Sequence, residues 1–148
     1  MQSIRYISEL CALVASAADV SFKPWVHAAI VVEDQSNLDL SESDTSLSLV
    51  KKEFFDLTIR VECRDREGKR YVEQDLELEI YRSGKELNLM LSWLTYVNRP
   101  ILWHGQHPIW MDAATGDRSS PPKDGSQMES FSRRLRALLM PCEEESYP

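Results

Sequence analysis

Several shortages limit what this 148-residue sequence does. No apolar run approaches the roughly 20 residues that a membrane-spanning helix requires. Bases are outnumbered, with 17 Lys and Arg against 24 Asp and Glu and a formal charge of −7. An acidic chain of this kind argues against nonspecific nucleic-acid binding, which depends on displacing counterions with a basic surface. It argues equally against docking on anionic lipid. Cysteine is scarce: Cys11, Cys63 and Cys142 are widely spaced and form no CxxC pair, so a disulfide framework is not expected and a reducing cytoplasm is the simpler compartment. Glycine is scarce too, at five residues. There is no glycine-rich phosphate loop, no G-x-S-x-G elbow and no D-x-[DN]-x-[DN]-G calcium loop.

What is present fits one globular domain. Hydrophobic residues make up 43% and charged residues 28%, a balance that buries a core and keeps a wet surface. The charge is uneven. Residues 33–44 hold five acids (Glu33, Asp34, Asp39, Glu42, Asp44) and no base, and the tail 141–148 holds three more. The rest is close to neutral, so the organisation expected is a single domain over 1–140 followed by an acidic tail.

Periodicity divides that domain. Ile4, Ile7, Leu10, Cys11, Val14 and Ala17 recur at helical spacing, predicting an amphipathic helix over 3–17 with Ser3 as N-cap. Leu10 to Ala18 has the small-residue look of a secretion signal, but Glu9 interrupts the apolar stretch and a helix is the better reading. Trp25 to Val32 is β-branched and continuously apolar, predicting a buried strand; 33–50 reads as a long acidic loop, with the weak alternation of Leu38, Leu40, Leu47 and Leu49 offering part of it as an edge strand.

The strongest signal lies in Glu53 to Cys63, where Phe55, Leu57, Ile59, Val61 and Cys63 alternate with Asp56, Thr58, Arg60 and Glu62. This is a half-buried strand. A charged turn with Gly68 leads to a return strand over Tyr71 to Tyr81, with Val72, Leu76, Leu78 and Ile80 inward and Glu73, Asp75, Glu77 and Glu79 outward. In register, those carboxylates lie opposite Arg60 and Thr58. Leu87, Leu89, Leu91 and Trp93 alternate as a further strand, although Leu87, Met90, Leu91 and Leu94 also fit a helix face. Ile101 to His104 and Ile109 to Asp112 are short strands around Gly105-Gln106. Ser126-Gln127-Met128-Glu129 matches a capping box ahead of a helix with the stripe Met128, Phe131, Leu135, Leu138 and Leu139. Arg133, Arg134 and Arg136 suit its C-terminal half.

Candidate chemistry concentrates in Trp103 to Asp112, which holds two of three histidines and two of four tryptophans. His104, His107 and Asp112, with His27, have the donor types of a metal or small-ligand site. No second pair completes a zinc set, and histidines flanking a Gly-Gln turn are more often ordinary edge residues. Trp103 and Trp110 beside polar groups suit recognition instead. The carboxylates of Glu73 to Glu79 are ordinarily edge protection and solubility, or else meet a basic partner. A Cys63- or His104-based enzyme requires these groups to share a pocket. Metal, cofactor and catalytic residues are therefore not expected.

Two stretches, Glu53 to Tyr81 with its LELEIYRSG ending and Arg99-Pro100 through Trp103-His104-Gly105-Gln106-His107-Pro108-Ile109-Trp110-Met111-Asp112, resemble a family of short uncharacterised cyanobacterial proteins. The resemblance implies a cytoplasmic location in a photosynthetic prokaryote, and brings no activity, cofactor or catalytic residue with it. The fold expected from the residues is α+β: an N-terminal helix, an antiparallel meander of four to six strands, and a C-terminal helix on the same apolar face. The function expected is non-catalytic, a protein-interaction or assembly factor that uses its exposed sheet face or Trp103, His104, His107, Trp110 and Asp112. The alternative is a small-ligand or metal-binding domain.

Overall fold

The computed structural model describes residues 7–35, 54–123 and 125–140. Ser3, Ile4, most of the acidic stretch and the tail lie outside the described residues. Helix α1 (Ile7–Ser21) leads into β1 (Val26–Asp34), followed by β2 (Phe54–Arg64), β3 (Leu76–Ser83), β4 (Glu86–Trp93), β5 (Ile101–His104), β6 (Pro108–Met111) and helix α2 (Gly125–Leu139). The strands form one sheet in chain order, every neighbouring pair antiparallel. This is the α+β meander that the alternating pattern predicts.

Alternation decides which side chains the helices cover. Cross-strand partners share a face, so Ile59, Leu78 and Leu91 continue into Leu102 and Trp110, while Leu57, Ile80 and Leu89 continue into His104. Against this row pack Leu10, Leu13, Val14, Ala17 and Ala18 of α1 and Met128, Phe131, Leu135 and Leu139 of α2, all in one buried cluster. The same alternation puts Thr58, Arg60, Glu77 and Glu79 on the opposite face. The register sets Arg60 opposite Glu77 and Thr58 opposite Glu79, the two carboxylates of the expected row of four that face this pair. It also resolves 87–93 as strand rather than helix.

Three expectations need correction. β1 is not a buried strand: among the described residues it stands at the edge of the sheet and pairs only with β2, and Val26, Ile30 and Val32 are exposed. Continuous hydrophobicity does not distinguish a central strand from an apolar edge. The return strand starts at Leu76 rather than Tyr71, because residues 72–74 form a short 3-10 helix that leaves Val72 exposed. Asp75 therefore does not face outward with Glu77 and Glu79. It is 3% exposed and accepts the Cys63 backbone N–H at 2.8 Å and both Arg70 guanidinium nitrogens, at 2.9 and 2.8 Å.

That bidentate pair closes the β2–β3 connection. Arg70 also donates to the Cys63 carbonyl at 3.1 Å, so one arginine ties the end of β2 to the start of β3. Gly68 takes φ +93° within this turn, a conformation disfavoured for residues with a Cβ. Replacing Asp75 by Ala leaves the Cys63 N–H and the Arg70 fork without their acceptor. The expected result in urea unfolding is a loss of about 3 kcal/mol, with the sheet's circular-dichroism spectrum retained.

Candidate functional site

The Trp103–Asp112 segment divides between the two faces of the sheet. β5 and β6 alternate like their neighbours, so Trp103 lies on the open face opposite Met90 and Ile109, while His104 and Trp110 point under α2. Asp112 belongs to neither group. Its Oδ1 accepts the Ala114 and Thr115 N–H groups at 2.8 and 3.0 Å, and these bonds hold its carboxyl below the usual range. It shapes the turn after β6.

On the covered face, β5 and β6 hold α2 through two side-chain bonds. Trp110 Nε1–H donates to Glu129 Oε2 at 2.7 Å. The capping pattern directs this carboxylate to the helix N-terminus, but it turns to the sheet instead. Gly125 makes the approach possible, since a Cβ there would lie 3.0 Å from Trp110 Cζ2 and 3.2 Å from Pro122. One turn further along, His104 Nδ1 and Ser132 Oγ are 2.8 Å apart, both residues buried. Ser132 Oγ also lies 3.1 Å from the Glu129 carbonyl; with its proton donated there, Ser132 accepts from His104 and Nδ1 carries the imidazole proton. Nε2 is then the lone-pair nitrogen. Burial, reinforced by Arg136, Arg133 and His107, lowers the His104 pKa from 6.5 to about 4.

His104 also forms part of the wall of an open cleft of about 550 Å³ between the β5–β6 turn and the second half of α2. His107 joins it there, as do Arg133, Arg136 and Met140. The two histidines are thus brought together as the segment suggested, but with arginines rather than carboxylates around them. The arginines were legible in the sequence only as charges suited to a helix terminus. Their i,i+3 spacing, which places them on one side of α2, is the signal that points to the cleft.

His27 is not part of that group. It accompanies Cys63 across the β1–β2 pair, with its backbone N–H and Nδ1 both on Asp19 Oδ1, at 2.8 and 2.9 Å. Cys63, His27, Trp25 and Trp93 line a second cavity of only about 20 Å³, room for about one water. Cys63 is fully buried, and burial together with the Asp75 charge pushes its thiol up to about 11. Such a thiol is not poised as a nucleophile. His104 and Cys63 therefore line different cavities, which removes the shared pocket that an enzyme using both requires. Among the described residues, no three His, Cys, Asp or Glu side chains converge in a way that would hold a metal ion.

The open face has a different character. Met90, Ile101, Trp103, Ile109 and Met111 form a half-buried apolar band over β4–β6, and the exposed Val26, Ile30 and Val32 lie along β1. Between them run Asp56, Arg60, Glu62, Glu77 and Glu79. Glu62 lies 3.6–3.9 Å from Arg60, Arg64 and Arg70. Glu79 is crowded: burial and the neighbouring carboxylates of Glu77, Asp56 and Glu33 raise its pKa.

A family model described as a domain of unknown function (DUF8659) matches residues 11–138, and the chain belongs to that family. No curated protein and no solved structure matches it. No described helix is long and apolar enough to cross a membrane.

The neutral, buried state of His104 has a measurable consequence. Its folded-state pKa lies below the unfolded value, so its contribution to stability is complete above pH 6.5 and is lost as pH falls toward 4. The loss amounts to at most about 3 kcal/mol. His104→Asn keeps an N–H donor for Ser132 and removes the titration. Urea unfolding between pH 7 and 4 is expected to show a shallower decline for the variant than for the wild type, from a lower value at pH 7.

Proposed function

We propose that this domain is a non-catalytic binding module whose open sheet face docks a partner protein bearing a basic surface flanked by apolar side chains. The observation that carries this reading is the pairing on one face of an apolar band, Met90, Trp103, Ile109 and Met111, with the crowded carboxylates Glu77 and Glu79. Helices α1 and α2 both pack on the other face. A sheet with one dry face needs only polar side chains on its wet one. Half-buried tryptophan and methionine there provide anchor area of the kind that carries binding energy.

The electrostatics support a basic partner. Like charges pressed together raise one another's pKa and lower the stability of the free protein, and a partner's lysines or arginines relieve that repulsion on docking. Two free thiols, Cys11 and Cys63, fit a reducing cytoplasm as the compartment in which the pair meets. A cyanobacterial source accords with the segments Glu53 to Tyr81 and Arg99 to Asp112.

A photo-crosslinking residue placed at Met90 is expected to trap the partner in cells, and the same residue at Ala137 on α2 is not. With that partner purified, Glu77→Lys/Glu79→Lys should weaken binding at least about tenfold, a change of about 1.4 kcal/mol. Unchanged affinity after the charge reversal contradicts the reading, as does crosslinking from Ala137 alone.

A further inference from the structure

The cleft beside α2 is separate from the open face, and its chemistry points to a ligand of another kind. We propose that it is a binding site for a small hydroxyl-bearing phosphomonoester, with Arg133, Arg136 and His107 holding the phosphate and His104 Nε2 accepting a hydrogen bond from the hydroxyl.

Geometry supplies the two halves of this recognition. Arg133 and Arg136 stand one helical turn apart and face His107 across the cleft. Arg136 is steadied by a 2.7 Å bond from Nη1 to the Leu87 carbonyl, which leaves Nε and Nη2 for a ligand. Guanidinium groups match phosphate oxygens in planar two-point contacts, and a dianion gains more from two of them than a carboxylate does. Glu129 is engaged through both oxygens: Oε2 accepts from Trp110 at 2.7 Å, and Oε1 pairs with Arg133 at 3.4 Å. Among the described residues, Arg133 keeps this exposed i,i+4 ion pair, a weak contact that a phosphate can displace, and Arg136 forms no salt bridge.

The hydroxyl requirement comes from the fixed polarity of His104. Ser132 accepts a hydrogen bond from Nδ1–H, and the ring stays neutral beside Arg136 and Arg133. An imidazole in this state offers the cleft only an acceptor at Nε2, which suits a donor on the ligand and repels a second anion. Met140, Ala137 and Pro108 supply the apolar wall for the carbon chain between the two groups. The cleft is wide open to solvent, so a small metabolite would lie against its wall rather than be enclosed.

The test uses the full chain with glycerol 3-phosphate, inorganic phosphate and glycerol as probes, followed by calorimetry and by methionine-methyl NMR. Glycerol 3-phosphate is expected to bind saturably, inorganic phosphate about tenfold more weakly, and glycerol not at all. The Met140 methyl signal should move while Met90 and Met111, on the open face, stay fixed. Arg133→Gln should weaken binding at least about fivefold, whereas Arg134→Gln, the same loss of charge on a residue that does not line the cleft, should change it less than about twofold. Absence of saturation, equal losses in the two variants, or movement of Met90 and Met111 in place of Met140 would overturn the proposal. Neither absence of saturation nor equal losses in the two variants bears on the docking of a protein at the open face.

Discussion

Two fifteen-residue helices have a six-stranded sheet to cover, and they reach only one of its faces. Side by side they span about 20 Å, against about 24 Å for six strands. Packed on the same side they account for that face: α1 lies against β1 and β2, and α2 against β4 and β5. Everything else follows from this one-sided burial. Phe55 to Cys63, Leu76 to Ile80 and Leu87 to Trp93 must alternate, because every second residue meets either a helix or the open face. The two candidate sites occupy the two places that this arrangement leaves, the uncovered face and the border where α2 meets the sheet's last turn.

At that border, polar side chains do what hydrophobic packing alone does not. A leucine stripe attaches a helix to a sheet without fixing where it sits along its own axis. Trp110 to Glu129 and His104 to Ser132 are directional bonds one turn apart, and they set α2 in one position over β5 and β6. The same bonds place Arg133 and Arg136 at the cleft and fix the imidazole as an acceptor. Structure and candidate chemistry thus share residues, and the buried histidine serves both.

Much of the fold was legible because period-two alternation is a strong signal when only one face is dry. It identified β2, offered strand as one of two readings of 87–94, set the carboxylates opposite Arg60 and Thr58, and placed both helices on the apolar face. It failed where hydrophobicity and burial part company. β1 is apolar yet exposed at Val26, Ile30 and Val32, since an edge strand has no neighbour to announce it in sequence. Alternation alone carries Asp75 into the row of outward carboxylates, because it continues through that position. Its burial depends on Arg70, five residues earlier and brought back by a 3-10 turn. Of the candidate site, the dense Trp103–Asp112 segment was visible, but its division was not. Trp103 and Trp110 are seven apart, an odd separation, and in a hairpin with a turn between them parity alone does not settle which face each takes. Arg133 and Arg136 were hidden for another reason: the helix dipole already accounts for basic residues there.

The central claim is that the face the two helices leave open is retained for docking rather than left over from folding. Methionine-methyl NMR tests it most directly, because Met90 and Met111 stand on that face, Met128 in the core and Met140 at the cleft. Titration with the purified partner should shift Met90 and Met111 and leave Met140 in place. Movement of Met140 with Met90 and Met111 unchanged would contradict the account.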